Sequence, residues 1–298
     1  MSSPRIKRTV NGVLMLDKAR GGSSNAALQQ AKRLYQAAKA GHAGTLDPLA
    51  TGLMPILFGE ATKFSSDLLD ADKSYAAEIR LGISTATADA EGEVIATRSV
   101  DVTAEQLAAA LQNFRGSILQ TPPLYSALKH AGKPLYAYAR AGVDIEREPR
   151  RVTIHALTLQ WFKGDSLALS VTCSKGTYIR SIAHDLGEAL GCGAHLAALR
   201  RTRVGRFGLN HAHTLESLAV MSAGQRDASL LPVDALLQEL PEVRLAPAQE
   251  ARFLQGQAVP WDGPPQARMR VYGLGGALLG VGEAADRTIA PKRIIANA

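Results

Sequence analysis

Segments with the apolar spacing of β-strands and segments with the apolar spacing of α-helices follow one another along this chain in an irregular order. Apolar and polar side chains alternate over residues 75–81, which is typical of a strand with one buried face. Over residues 27–38 apolar side chains recur at helical spacing, and we expect Gly41 to end that helix. Residues 152–162 and 167–173 predict two strands joined by a tight turn. A doubly wound parallel sheet would require regular alternation of strands and helices, so this order indicates an α+β fold.

Capping signals locate two further helices. Thr103 and Gln106 form a capping-box pattern, and the apolar stripe that follows them ends at Gly116. Residues 179–190 carry a second helical stripe, which Gly191 closes.

Two stretches depart from these regular patterns. Residues 121–151 contain four prolines, three tyrosines and several Lys/Arg, which predicts an irregular, exposed excursion. From Pro241 onward the chain is rich in Gly and Pro, and residues 268–283 predict a hairpin. We therefore expect a large domain of residues 1–240 and a small β-rich domain of residues 241–298.

Positive charge is concentrated in two parts of the chain. The net charge is +7, and residues 1–63 hold nine Lys/Arg against three Asp/Glu. Residues 199–210 add four arginines without an acid. One such cluster is often an ordinary solvated face, but two clusters on a soluble protein favour nucleic acid as the partner.

The cysteines and the N-terminal segment indicate the cellular compartment in which we expect the protein. Cys173 and Cys192 form no CxxC pair, and Cys173 falls in a predicted buried strand, so a reducing compartment is the simplest inference. The N-terminal segment lacks the apolar core of a signal peptide, and no apolar run reaches the length of a membrane span. We expect a cytoplasmic protein without membrane contact.

The segment GHAGTLDPLATG, at residues 41–52, combines three glycines with a His, a Thr and an Asp-Pro pair. Glycine permits positive φ or close approach to a ligand, and Pro48 restricts the backbone of Asp47, which holds its carboxylate in place. An Asp-Pro turn without any catalytic role fits the same composition equally well. The pattern GxxxxGK[ST] is absent, so the loop does not predict a phosphate-binding P-loop.

A second segment, SKGTYIR at residues 174–180, joins a predicted strand to a predicted helix. Arg180 can pair with a carboxylate and keep it ionised. Taken singly, Tyr178 also fits ordinary packing and Arg180 a solvated face. Tyr75, at the start of another strand, likewise fits half-buried packing.

Patterns of several other enzyme classes are missing from the chain. The histidines lack partners at metal-ligand spacing, and neither the GxSxG of hydrolases nor the GxGxxG of dinucleotide enzymes is present. We therefore expect no metal and no cofactor.

Several motifs, taken in order, make the chain resemble the bacterial TruB family of tRNA pseudouridine synthases. They are GVLMLDK (12–18), SSN (23–25), GHAGTLDPLATGLMP (41–55), GEATK (59–63), YSALK (125–129), CSKGTYIR (173–180) and LRR (199–201). The resemblance implies a mixed, largely antiparallel sheet flanked by helices, with a tail that is more loosely similar to the RNA-binding PUA module. It also implies that the uridine at position 55, in the T-loop of tRNA, is isomerised to pseudouridine.

The resemblance assigns roles to five residues around the target base. Asp47 is the catalytic carboxylate, which stabilises or bonds to the sugar carbon C1′ when the glycosidic bond breaks. Arg180 pairs with Asp47 and orients it. Tyr75 stacks on the base and takes part in proton removal, while Tyr178 and Leu199 frame the base.

The same resemblance implies that the uridine flips out of the RNA and that His42 fills the space it leaves. Residues 121–151 correspond to an insert that grips the RNA arm. The residues expected to contact RNA phosphates are Lys18, Lys32, Arg33, Lys63, Lys129 and Arg200.

Two other functions stay open on the sequence. A tRNA-binding or tRNA-folding chaperone without essential catalysis would not need Asp47, Tyr75, Tyr178 and Arg180 together. A phosphate-handling enzyme would suit the basic loops but needs a metal or nucleotide site, for which no pattern appears. We expect the T-arm of tRNA as the partner, and a monomer.

Overall fold

The computed structural model describes residues 7–126 and 128–295; the outermost residues of both predicted domains, 1–6 and 296–298, lie outside this range. The strands before residue 240 are β1 (Gly12–Lys18), β2 (Ala40–His42), β3 (Thr51–Phe58), β4 (Lys73–Leu81), β5 (Ile83–Thr85), β6 (Val94–Thr97), β7 (Gly116–Gln120), β8 (Lys129–His130), β9 (Lys133–Pro134), β10 (Arg150–Lys163), β11 (Ser166–Cys173), β12 (Ala194–Val204) and β13 (Phe207–Gly208). The helices of this part are α1 (Ser24–Leu34), α2 (Ser65–Asp70), α3 (Ala104–Gln112), α4 (Leu135–Arg140), α5 (Ile179–Ala189), α6 (Leu215–Val220) and α7 (Ala223–Ala228).

One central sheet organises this part of the chain. Its strand order is β1-β3-β12-β4-β11-β10-β7, with β2 paired to β3 and β13 paired to β12. Within it, β12 and β3 run parallel and the other described pairs run antiparallel. The predicted α+β class with a mixed, largely antiparallel sheet is confirmed.

The period-two pattern of β4 explains its central place. Ala77, Ile79 and Leu81 are buried against the core, while Glu78 and Arg80 are exposed on the other face. Burying one such aliphatic side chain contributes about 1.5–3 kcal/mol, so a register slip by one residue would be strongly disfavoured. The predicted hairpin forms from β10 and β11, with their turn at residues 164–165.

The predicted start of α3 and the predicted end of α5 are confirmed, whereas α3 ends at Gln112 and not at Gly116, which begins β7. The Thr103 hydroxyl accepts from the amide of Gln106 at 3.2 Å, and the Gln106 side chain accepts from the Thr103 amide at 2.8 Å. At the end of α5, Gly191 has a positive φ of 77°, which suits a glycine at that position.

The first helix ends earlier than predicted. It stops at Leu34 rather than at Gly41, because Gln36 adopts a positive φ of 52° and the backbone then pairs with Arg8. Gly41 lies instead in β2, so the predicted loop narrows to residues 43–50. Pairing with a distant segment of chain, which helical spacing does not reveal, decides this boundary.

Strand β12 is not predicted by the sequence patterns. The cluster of arginines at 200–206 suggests an exposed basic surface, yet β12 lies near the middle of the sheet, between β3 and β4. Arg201 is only 1% exposed, so the expectation of a solvated cluster is wrong for this residue. Charged side chains are rarely fully buried, which is why the arginine cluster predicted an exposed surface.

The predicted excursion lies between β7 and β10. It contains the two-residue ladder β8–β9 and the short helix α4, whose Leu135 is 5% exposed and anchors it. Most of its other described residues are half-buried or exposed. The segment therefore extends outward from the sheet, and a few buried side chains such as Leu135 attach it to the rest of the protein.

A second sheet follows residue 240. Its elements are β14 (Glu242–Leu245), α8 (Pro247–Leu254), β15 (Val259–Pro260), β16 (Gln266–Gly273), β17 (Leu278–Ala285) and β18 (Thr288–Ile294). The sheet, called here the C-terminal sheet, has the order β14-β16-β17-β18-β15 and encloses a core around Phe253 and Val271. The predicted hairpin is the β16–β17 pair. No helix within residues 7–126 and 128–295 is long and apolar enough to span a membrane.

Candidate active site

A cavity of about 820 Å³ opens between the loop after β2, the strands β4 and β12, and the start of α5. Six of the residues predicted from the sequence line it together. They are His42, Asp47, Tyr75, Tyr178, Arg180 and Leu199. These residues are up to 157 positions apart in the chain, so the fold assembles the site.

Hydrogen bonds from two other segments of the chain hold the loop that carries Asp47. The Ser24 hydroxyl bridges both backbone groups of Leu46, accepting from its amide and donating to its carbonyl, each at 2.8 Å. Lys18 donates to the carbonyl of Ala50 at 2.8 Å. Gly52 has a φ of +99°, and a Cβ there would lie 2.2 Å from the carbonyl oxygen of Arg201, so only glycine fits.

Asp47 faces Arg180 across the cavity. The Nε of Arg180 lies 3.0 Å from Oδ2 of Asp47; the arginine side chain is 4% exposed and the aspartate side chain 39%. Loss of hydration raises the pKa of Asp47 above its ordinary value, and the charge of Arg180 opposes that rise. The carboxylate is thus oriented by a buried cation while one side stays open to the cavity.

Arg180 also contacts groups other than Asp47. Its Nε also lies 3.6 Å from Oδ2 of Asp89, and its two terminal nitrogens donate to the carbonyls of Thr87 (3.0 Å) and Tyr125 (2.7 Å). Asp89 is 4% exposed and accepts from the Thr87 hydroxyl at 2.5 Å. Asp89 is not predicted by the sequence patterns, because its acid- and threonine-rich loop carries no distinctive motif.

Arg201, on the other side of the cavity, supports Tyr75 and the loop that carries Asp47. It donates to the carbonyls of Leu53 (2.7 Å) and Gly44 (3.0 Å). Burial raises the pKa of Tyr75, and the nearby Arg201 charge partly opposes this, so the phenol stays protonated at neutral pH. The role of Arg201 was also missed, since the sequence placed it in an exposed basic cluster.

Tyr178 is fixed through its backbone by Gln120. The Gln120 amide group donates to the Tyr178 carbonyl at 3.0 Å and accepts from the Tyr178 amide at 2.7 Å. Gln120 is 3% exposed and is the last residue of β7, directly before the excursion. This clamp sets the start of α5 and therefore the place of Arg180.

His42 is neutral in this setting. Burial lowers its pKa below the ordinary value, and the positive charge of Arg201 lowers it further. Its buried Nδ1 has no hydrogen-bond partner among the described residues. An uncharged ring with a spare polar atom is suited to contact RNA that enters the cavity.

The basic residues predicted to contact phosphate lie outside the cavity wall. Lys18 is 2% exposed and would have to leave backbone carbonyls to reach a phosphate. Lys63 pairs with Glu60 (2.6 Å), and Arg200 pairs with Asp17 (2.6 Å). Lys32 is half-buried, and Arg33 and Lys129 are exposed. Their contacts with RNA stay predictions.

Family models match the chain in three consecutive parts. The TruB family pseudouridylate synthase N-terminal domain matches residues 32–179, the tRNA pseudouridylate synthase B C-terminal domain residues 180–238, and the pseudouridine synthase II TruB C-terminal model residues 241–295.

Similar proteins are found along nearly the whole chain. The tRNA pseudouridine synthase B of Azoarcus sp. (strain BH72) is 56% identical, and the match covers 98% of this chain and 97% of that protein. The tRNA pseudouridine synthase B of Methylobacillus flagellatus is 55% identical, covering 100% and 99%. Among solved structures, an H/ACA ribonucleoprotein bound to a substrate RNA containing 2′-deoxyuridine matches with a TM-score of 0.72 and 22% identity, over 96% of this chain and 85% of that one. This last likeness concerns the fold, which is that of the pseudouridine synthases.

Proposed function

This chain belongs to the TruB family of pseudouridylate synthases, which are isomerases, and we propose that it converts one uridine in the T-loop of tRNA, position 55, to pseudouridine. The names of the similar bacterial proteins support tRNA as the substrate. The observation that carries the proposal is the Asp47–Arg180 pair at 3.0 Å, inside a cavity that two tyrosines also line.

The proposed chemistry breaks the N1–C1′ bond, turns the uracil and joins its C5 to C1′. Cleavage leaves oxocarbenium character on C1′, and the Asp47 carboxylate either stabilises that charge or bonds to it. A proton then leaves C5 and a proton is gained at N1, so no atoms are gained or lost overall. The charge of Arg180 opposes the rise in the pKa of Asp47 that loss of hydration causes, which favours the ionised carboxylate.

The uracil must leave the RNA loop to reach this carboxylate. We propose that it stacks on Tyr75 while Tyr178 and Leu199 frame it, and that His42 takes its place in the loop. Stacking on an aromatic ring is worth about 1–3 kcal/mol per base, which offsets part of the cost of flipping. Tyr75 is our candidate for a group that takes part in removal of the C5 proton; because its phenol is protonated at neutral pH, it can relay that proton only by giving up its own to another acceptor in the same step.

RNA backbone contacts would come from outside the cavity. We propose Lys63, Lys129 and Arg200 for this role, together with the excursion and the part of the chain from residue 241 onward. Each phosphate contact would make the affinity fall as salt rises.

The test uses a stem-loop RNA with the T-arm sequence, the wild-type protein and the Asp47→Asn variant. We expect pseudouridine with the wild type and none with Asp47→Asn, while the dissociation constant of the RNA changes by less than about tenfold, since the amide keeps the shape of the carboxylate. Asp227→Asn, which removes an exposed carboxylate beside Arg8, is the matched control and should retain activity. Wild-type turnover by Asp47→Asn would refute the assignment.

A further inference from the structure

Helix α4, in the middle of the excursion, presents an aromatic side chain at the rim of the cavity. Tyr136 is 41% exposed and lines the same cavity as Asp47. The guanidinium carbon of Arg140, one helical turn later, lies 5.4 Å from the centre of its ring. We propose that Tyr136 and Arg140 form a stacking site for a second nucleobase of the RNA, distinct from the target uracil. This inference rests on the proposed function.

The other contacts of Tyr136 leave its ring free for a ligand. Its hydroxyl makes no hydrogen bond to a described residue, the residue is 41% exposed, and Arg140 is the only ring contact found for it among the described residues. Tyr138, two residues later, shows the contrasting case. Its hydroxyl donates to the His130 carbonyl at 3.1 Å and its ring packs edge-on against the His130 ring, so it holds the excursion together.

A chain of contacts joins Tyr136 to the catalytic carboxylate. The Tyr136 amide donates to the Ser126 carbonyl at 3.1 Å, and the carbonyl of the preceding Tyr125 accepts from Arg180 at 2.7 Å. Arg180 in turn contacts Asp47. These contacts connect α4 to Asp47 along one wall of the cavity, so a nucleotide near the target in the RNA strand would face α4 while the target uracil occupies the pocket.

The chemistry of the pair suits a nucleobase. Arg140 covers one face of the Tyr136 ring, so a base would stack on the other face, and every base offers a π-face for this. Arg140 also carries a charge that can contact the phosphate of the same nucleotide. An apolar peptide would gain nothing from that charge, and a free phosphate would gain nothing from the exposed ring.

The test scans the T-arm stem-loop with single abasic replacements at each loop position except the target. Wild type, Tyr136→Ala, Tyr136→Phe and Tyr136→Trp are compared by the KM for pseudouridine formation. Trp161→Ala, which removes an aromatic side chain of similar exposure on β10 outside the cavity, is the matched control. Circular dichroism confirms that each variant is folded.

We expect Tyr136→Ala to raise KM by roughly 5- to 150-fold on the intact RNA, with Tyr136→Phe, Tyr136→Trp and the control near wild type. At one loop position, the abasic RNA should raise KM for the wild type but add no penalty for Tyr136→Ala, because the lost base and the lost ring are partners. Penalties that add independently at every position would overturn the proposal, as would a Phe variant as damaged as the Ala variant. Failure of the wild type to modify the intact RNA would instead refute the proposed function.

Discussion

The cavity and the segments that connect the strands of the C-terminal sheet each contain an arginine–carboxylate pair at 3.0 Å, and the two pairs differ in their exposure to water. In the cavity, the side chains of Arg180 and Asp47 are 4% and 39% exposed. In the connecting segments of the C-terminal sheet, those of Arg287 and Asp262 are 87% and 90% exposed. Exposed pairs contribute about 0–1 kcal/mol, whereas breaking a buried pair costs about 3–5 kcal/mol. The same contact therefore has very different consequences in the two regions.

The cavity and the C-terminal sheet also differ in the partners of their polar side chains. Around the cavity, Arg180, Arg201 and Gln120 contact the carbonyls, amides and carboxylates of other residues of the site. In the C-terminal sheet the core is apolar and most charges face water. Substitutions in the first region should change the chemistry, and those in the second should act on stability or affinity by small amounts.

The largest effect is expected from Arg180→Leu. It leaves Asp47 and Asp89 side by side without their shared cation, and we expect kcat to fall by at least about 100-fold. In Arg180→Lys, weaker pairing should raise the pKa of Asp47 further. Activity that requires the ionised carboxylate is lost as the pH falls through that pKa, so the acid limb of the rate profile should move to higher pH.

Single-turnover assays across pH measure both effects, with Arg287→Leu as the matched control for loss of an arginine at the same pair distance. Equal losses in Arg180→Leu and Arg287→Leu would contradict the contrast between the two regions.

Lys73 should make stability depend on pH. Burial, followed by the charge of Arg201, lowers its pKa to about 8 from the ordinary 10.5. Between pH 8 and 10.5 the unfolded chain binds more protons than the folded one, so the Lys73 contribution to the free energy of unfolding should rise with pH by up to about 3 kcal/mol. Below pH 8 this contribution should be constant.

Urea denaturation at pH 7.5 and pH 10 isolates this contribution, as the difference between wild type and Lys73→Met. Lys292→Met, which removes a half-exposed lysine beside Glu283 in the C-terminal sheet, should leave the pH dependence as in the wild type. The idea fails if Lys73→Met has the same pH dependence as the wild type.

A smaller effect is expected from Gln120→Leu. Loss of the clamp leaves the part-buried Tyr178 amide unpaired, which costs about 1–3 kcal/mol, while the Tyr178 carbonyl still accepts from the Ile182 amide at 3.3 Å. Because this displaces Tyr178 and Arg180 rather than the RNA surface, kcat should fall more than KM changes. Gln120→Glu still accepts from the Tyr178 amide, and its protonated form can also donate to the carbonyl, so the ratio of its kcat to that of the wild type at the same pH should rise as the pH falls.

Gln249 of α8 supplies the control, since its side chain also contacts one backbone amide, that of Ala246, and one backbone carbonyl, that of Pro260, at an exposed position beside the C-terminal sheet. Gln249→Leu should leave kcat unchanged. A loss confined to stability in Gln120→Leu, with kcat as in the wild type, would show that the clamp does not position the site.

The smallest effect is expected at the contact between the two regions. Arg268 of β16 pairs with Asp67 of α2, and the two side chains are 46% and 17% exposed. Arg268→Ala should lower the free energy of unfolding by less than about 1 kcal/mol and leave kcat unchanged. A large fall in kcat would show that the C-terminal sheet acts on the cavity through α2, whose Leu69 lines it.

Sequence patterns predict those parts of the molecule that local physics decides. The alternation in β4, the Thr103–Gln106 cap and the β10–β11 hairpin follow from spacing and turn chemistry, and all are confirmed. The early end of α1 and the burial of β12 were missed, because both depend on contacts between segments far apart in the chain.

The same distinction applies to the site. Asp47 and Arg180 stand in recognisable motifs, so they could be named before their contact was known. Asp89 and Gln120 lie in ordinary-looking segments, and their place beside Arg180 and Tyr178 is evident only in the folded structure. Residues that stand in a motif can therefore be named from the sequence, whereas residues that hold them from distant segments cannot.

The most direct test of the account is to treat an unmodified tRNA transcript with the purified protein and map pseudouridine at nucleotide resolution. The account predicts conversion of one T-loop uridine, at position 55, by the wild type and no conversion by Asp47→Asn. Pseudouridine at other positions with the T-loop uridine intact, or a product that persists in Asp47→Asn, would contradict it.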